Sequence, residues 1–163
     1  MTINFKNRTL QEYLDRLSAR EPVPGGGSAA ALTGALAAGL ISMVANYSVN
    51  RKTNTKAVQL RLERILQSSE TIRRRLLVLT SLDSEAYLKL SAARTLDKKA
   101  QSKAAKQALA VPQEVCKLCH KAILLTPVLA DKGNPYLLSD VEVAIELLTA
   151  AFSGARIMVR TNS

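Results

Sequence analysis

Residues 22–48 read PVPGGGSAAALTGALAAGLISMVANYS. The first seven are a turn and the rest, Ala29 to Ser48, a helix. Gly25, Gly26 and Gly27 have access to backbone angles that a Cβ disfavours. Pro24 stiffens the approach, and Ser28 carries the hydroxyl of a helix N-cap. The segment therefore predicts a helix whose first backbone N–H groups lie open to a closely approaching anion. Its body is apolar on nearly every side, the pattern of a buried helix. Gly34 and Gly39, with Ala35 and Ala38, leave room for other helices to cross closely. Its length matches a bilayer span, but Thr33, Ser42 and Asn46 interrupt it, and the central helix of a bundle accounts for it better. In a domain this small, so apolar a helix also predicts a subunit interface.

Upstream, Leu10, Tyr13, Leu14 and Leu17 mark a short amphipathic helix over Leu10–Leu17. Downstream, residues 49–55 form a polar linker, and a long helix starts near Lys56. Leu62, Ile65, Ser69, Ile72, Leu76, Leu79, Asp83, Ala86 and Leu90 recur at alternating spacings of three and four, a bundle seam. Two seam positions are polar, Ser69 and Asp83. A carboxylate in an apolar stripe is costly unless paired or protonated, so Asp83 is the first candidate for a perturbed pKa. Residues 94–110 are basic and Ala-rich, with Lys99, Lys103 and Lys106 on one helical face. Pro112 is read as the start of the next helix, through Val115, Leu118, Ala122 and Ile123 toward Leu129. Asp131–Leu138 reads as a loop, with Gly133 as a helix stop and Pro135 as a breaker. Ser139 and Glu142 have capping-box spacing, ahead of a last, largely apolar helix over about Asp140–Val159.

The 163 residues are 4% aromatic and contain no Trp. Ala, Leu, Lys and Arg dominate, and alternating β-branched stretches are few. The expectation is one domain, residues 1–163, all-α, a bundle of about five to seven helices around the Ala/Gly-rich one. The net charge is +10. No aromatic residues are interleaved with the cations and no nucleic-acid motif appears; an anionic small molecule, or simple solubility, explains the charge as well as nucleic acid does, and no nucleic-acid partner is expected. Met1–Leu10 has no apolar h-region, so the expected location is cytoplasmic, with no membrane partner. Cys116-Lys117-Leu118-Cys119-His120 has the spacing of covalent haem attachment, but it lies inside a helix that must pack. Zinc would lack a fourth ligand, since the chain has no further Cys or His. The expectation is two reduced helical thiols and no metal site.

In order along the chain, several segments resemble one family. Pro22-Val23-Pro24-Gly25-Gly26-Gly27-Ser28-Ala29-Ala30-Ala31-Leu32, then Gly34-Ala35-Leu36 and Met43-Val44-Ala45, is similar to the opening of the cyclodeaminase/cyclohydrolase family. That family contains the cyclodeaminase half of formiminotransferase-cyclodeaminase and the single-domain methenyltetrahydrofolate cyclohydrolases. Arg51-Lys52 resembles its basic pair after the first core helix. Leu82-Asp83-Ser84-Glu85-Ala86-Tyr87 resembles its Asp-x-x-Ala-aromatic segment. Lys132-Gly133-Asn134-Pro135 with Ser139-Asp140 resembles its Gly-Asn…Ser-Asp segment, and Val159-Arg160-Thr161-Asn162 its Asn-bearing segment. Leu96-Asp97-Lys98 departs from the family's Leu-Pro-Lys, the region before Pro112 is shorter, the chain stops at Ser163 where relatives continue, and the basic charge is unusual.

The resemblance implies an all-helical homodimer formed through helices, with a folate site. It implies Asp83 as the catalytic acid/base. On that basis the candidate substrate-binding residues are Gly25, Gly26, Gly27 and Ser28 through backbone N–H groups, Lys52 and Lys98 for the anionic glutamate tail or for orienting Asp83, and Asn134, Asp140 and Asn162 for the polar edge of the pterin. The implied reaction is hydrolysis of 5,10-methenyltetrahydrofolate to 10-formyltetrahydrofolate, with no cofactor beyond the folate substrate. The alternatives are formiminotetrahydrofolate cyclodeaminase, which releases ammonia, and a non-catalytic folate- or anion-binding helical protein.

Overall fold

The structure is a computed structural model that describes residues 4–163. Among these residues there are six α-helices, two short 3-10 turns and no strand. The helices are α1 (Leu10–Ser18), α2 (Gly26–Ser48), α3 (Lys56–Ala93), α4 (Lys98–Ile123), α5 (Thr126–Lys132) and α6 (Leu138–Thr161), with 3-10 turns at Phe5–Asn7 and Pro135–Leu137. The all-α expectation holds.

The apolar helix α2 is the axis of the bundle. It packs on α3, α6, α4 and α5, and Ala31, Ala37, Ala38, Ile41, Val44 and Ala45 are fully enclosed. The helix long and apolar enough to cross a membrane is thus the core of the bundle. A Cβ at Gly34 would come within 3.1 Å of Cys119 Sγ and 3.3 Å of Leu76 Cδ1, so α3 and α4 close on α2 only because residue 34 has no side chain. The α3 seam is buried as its spacing requires, at Leu62, Ile65, Ser69, Ile72, Leu76 and Leu79. Its polar member Ser69 is matched by Ser42 of α2, whose hydroxyl donates to Ser69 Oγ at 2.9 Å. One side of α2 is left open: Leu36 is 54% and Tyr47 65% exposed, with Leu32, Leu40 and Met43 half-buried along the same stripe.

Four boundaries differ from the sequence reading. α2 starts at Gly26, capped by the extended residue Gly25, not at Ala29 after a Ser28 cap. α4 does not begin at Pro112; it runs through it unbroken. Proline has no N–H for the carbonyl four residues back, and here the Asn162 side-chain amide donates to the Ala108 carbonyl at 3.1 Å instead. α4 begins at Lys98 because the Asp97 side chain accepts the Ala100 N–H at 2.8 Å; the Leu96-Asp97-Lys98 departure is a helix cap. Pro127 then separates α5 from α4, and the Thr126 hydroxyl donates to the Ile123 carbonyl at 2.9 Å. Finally, Ser139 is not a cap. Asn134 accepts the Tyr136 N–H at 3.1 Å and starts the turn that feeds α6 from Leu138. Ser139 is then already helical, whereas a cap needs non-helical backbone. Gly133 ends α5 as expected.

Candidate active site

The N-terminus of α2 has its anion already, and it comes from the protein. Asp83 of α3 places its carboxylate where a side chain at position 27 would stand: a Cβ built on Gly27 would collide with both carboxylate oxygens. None of the described glycines has a positive φ, so what the glycine segment supplies is space rather than unusual angles. Gly27 needs it most, since a Cβ at Gly25 meets nothing within 4 Å and one at Gly26 only Met158 Sδ at 3.7 Å.

Ser28 offers its backbone N–H to this carboxylate, while its hydroxyl is taken by another partner. Its Oγ pairs with the Tyr13 hydroxyl at 3.0 Å, both groups buried. Tyr13 is held in turn by an edge-on contact with Phe5, ring centroids 5.4 Å apart, and the Phe5 N–H donates to Ser81 Oγ of α3 at 2.9 Å. α1 is set by a capping box, Thr9 with Glu12. The N-terminal segment therefore clamps the first turn of α2 against α3.

Beside the carboxylate lies a cavity of about 230 Å³. Pro22, Val23 and Gly25–Gly27 form one wall, Asp83, Tyr87 and Leu90 of α3 a second, and Ala108 of α4, Met158 of α6 and Asn162 just after it the rest. Burial pushes the Asp83 carboxyl up to about 6, and the Ser28 backbone N–H, which favours the charged form, offsets part of that rise. Burial also raises the Tyr13 phenol, so it stays protonated. Asp83 thus lies within reach of gaining or losing a proton near neutrality, in a largely apolar cavity, as a general acid/base requires.

The structure gathers some of the expected site residues and separates others. Gly25, Gly26, Gly27, Asp83 and Asn162 line the one cavity. Ser28 stands behind it. Lys98 is exposed at the start of α4, about 15 Å along the helix from Ala108. Lys52, Asn134 and Asp140 gather at the other end of α2, about 33 Å from Gly26 by helical rise. There the Asn134 N–H donates to Ser48 Oγ at 2.8 Å and Arg51 Nη1 to the Gly133 carbonyl at 2.8 Å. Within one chain these three residues do not reach Asp83. Tyr87, Met158 and Tyr13 were missed as site residues. Tyr87 had a signal, since it falls one turn after Asp83 on the same face; Met158 and Tyr13 had none, because only tertiary packing brings them in.

The two cysteines and His120 of the Cys-x-x-Cys-His pattern differ in burial along α4. Cys119 is buried, with its thiol pushed up to about 12 by burial. Burial raises Cys116 too, and His120 is exposed on another face. Among the described residues no three His, Cys, Asp or Glu side chains converge as metal ligands would.

A family profile described as Formiminotransferase-cyclodeaminase matches residues 9–163. A methenyltetrahydrofolate cyclohydrolase from Methylorubrum extorquens is 35% identical over 96% of this chain and 80% of its own length. A formimidoyltransferase-cyclodeaminase from Rattus norvegicus is 28% identical over 94% of this chain, which spans only 30% of that protein. The crystal structure of a formiminotetrahydrofolate cyclodeaminase from Thermotoga maritima superposes with a TM-score of 0.92 at 32% identity, covering 96% of this chain and 79% of that one.

Two stability measurements check this geometry. The Asp83 carboxyl holds its proton more tightly in the folded chain, about 6 against its ordinary 3.8. Ionising it therefore costs stability: the cost is absent below about pH 3.8, grows toward pH 6 and is full above it. Asp83→Asn should gain about 2 kcal/mol at pH 7 and nothing near pH 3.5 in urea denaturation. Gly27→Ala should lose about 1–3 kcal/mol as the new methyl meets the carboxylate, whereas thermal melts of Gly25→Ala should stay close to the unmodified protein.

Proposed function

The chain belongs to the formiminotransferase-cyclodeaminase family, and on that premise we propose that it hydrolyses 5,10-methenyltetrahydrofolate to 10-formyltetrahydrofolate with Asp83 as the proton carrier. The observation that carries this reading is a lone carboxylate, raised to about 6, at the wall of an apolar cavity. The substrate is a cation whose positive charge is shared between N5 and N10 through the bridging carbon. A neighbouring carboxylate stabilises that cation in a water-poor cavity. Ionised Asp83 takes a proton from the water attacking the bridging carbon, and a tetrahedral carbinolamine forms. Protonated Asp83 then delivers a proton to N5 as the carbon–N5 bond breaks, leaving the formyl group on N10. Water contributes two protons, one kept on N5 and one released to solvent. The step is proton transfer and addition, and calls for no cofactor beyond the folate.

The likeness to the Thermotoga maritima cyclodeaminase supports a second reading. There N10 attacks a formimino carbon and ammonia leaves, again with one group shuttling a proton. Release of ammonia from formiminotetrahydrofolate distinguishes the two.

We also propose that the protein works as a homodimer, in the cytoplasm, on folates with one or more glutamates, whose carboxylates the Lys98, Lys99, Lys103 and Lys106 surface of α4 would attract. The open stripe of α2 supports an antiparallel pairing. A two-fold axis between Gly39 and Leu40 sets Leu36 against Met43 and Leu32 against Tyr47. The same antiparallel register sets Ser48 of one copy opposite Ala31 of the other, so the Lys52–Asn134–Asp140 end of one copy would lie toward the Gly26 end of α2 in the second.

Turnover is followed by the loss of methenyltetrahydrofolate absorbance. kcat/KM should fall about tenfold per pH unit below pH 6 as Asp83 protonates. Asp83→Asn should keep the fold and lose about 100-fold or more in kcat; full activity in that variant contradicts its role. Leu36→Glu places a charge in the apolar stripe. It should sediment as a monomer with activity reduced about tenfold or more, and a dimer of unchanged activity would remove α2 from the interface.

A further inference from the structure

α4 carries a defect at the cavity wall. Pro112 is fully buried in the interior of the helix. A proline there normally kinks or breaks a helix, because it removes a hydrogen bond and crowds the carbonyl four residues back. Here the helix continues, and the released carbonyl belongs to Ala108, which lines the same cavity as Asp83. Asn162, just past the end of α6, donates its side-chain amide to that carbonyl at 3.1 Å. A carbonyl oxygen has two lone pairs and a carboxamide has two N–H groups and an acceptor oxygen. The pair therefore retains one free carbonyl lone pair, one free N–H and the Asn162 Oδ1. Beside them, Pro22, Val23, Leu90 and Met158 offer only apolar side chains.

We infer that the Ala108 carbonyl, released by Pro112 and steered by Asn162, is a recognition element for the nitrogen-bearing edge of the bound heterocycle. Such an edge, an amino group next to a ring N–H as in an aminopyrimidinone, presents the donors that these two acceptors need. A site built to hydrogen-bond such groups discriminates strongly against a ligand lacking them, because its own polar atoms are then left unpaired. The inference rests on the folate reading above and adds the Ala108 carbonyl, freed by Pro112, to the Asn162 contact already expected at the polar edge of the pterin.

Pro112→Ala separates this role from a structural one, because the two move different quantities. Alanine restores the N–H that closes the Ala108 carbonyl into the helix. The regained helix bond and the lost ring packing oppose each other, so the melting temperature should move by only a few degrees. KM for methenyltetrahydrofolate should rise about tenfold with kcat within about twofold, and the Kd of 5-formyltetrahydrofolate, read by titration calorimetry, should weaken to match. Asn162→Ala, the companion variant, should weaken binding by a similar factor but lower the melting temperature, since the carbonyl then loses its partner. Pro112→Ala or Asn162→Ala with unchanged KM and Kd overturns the inference while wild-type turnover leaves the folate reading standing. A wild-type protein that neither turns over methenyltetrahydrofolate nor binds 5-formyltetrahydrofolate overturns both.

Discussion

The contact between the Asp83 carboxylate and the first turn of α2 is the constraint that the surrounding structure serves. Two opposing effects meet there. The start of a helix, with N–H groups not used within it, favours a negative charge. The apolar surroundings disfavour it, and burial is the larger effect, leaving the carboxyl near 6. A charge so placed is held by geometry rather than by a cation: among the described residues no salt bridge involves Asp83. Gly27 must be glycine for the contact to exist at all.

Keeping α2 in position occupies most of the fold. Its Ala/Gly surface lets α3, α4 and α6 approach closely enough that Asp83, Ala108 and Met158 converge on one cavity. Tyr13 and Phe5 pin the first turn from outside through Ser28 and Ser81. At the far wall, α4 tolerates Pro112 because Asn162 supplies the missing donor. A buried carboxylate with a raised pKa and a proline inside a helix are both unfavourable for stability taken alone. Asp83 and Ala108, whose carbonyl Pro112 leaves without its helical donor, line the same cavity, where local rules of folding are expected to yield to chemistry.

Much of this was legible in the sequence because its signals were periodic. The three-four seam of α3 placed Leu62 through Leu79 in the core and put Asp83 on the same line. The uniform apolarity of Ala29–Ser48 made α2 central. What failed were readings that needed a partner distant in sequence. Ser28 has a cap residue's chemistry, but Tyr13 takes its hydroxyl. Pro112 has the look of a helix start, and only Asn162, 50 positions later, makes a continuous helix possible. Ser139 and Glu142 have capping-box spacing, yet Asn134 begins the turn first. The ordered family segments were read as a single site, whereas the chain holds Lys52, Asn134 and Asp140 at the opposite end of α2 from Asp83.

The most direct test is to titrate the Asp83 carboxyl itself in the ligand-free protein, following its 13Cγ resonance by NMR and assigning it by its disappearance in Asp83→Asn. A midpoint near 6 is the result this account predicts. A midpoint at the ordinary 3.8 would mean a well-solvated or tightly paired carboxylate, and would contradict a buried proton carrier at the start of α2.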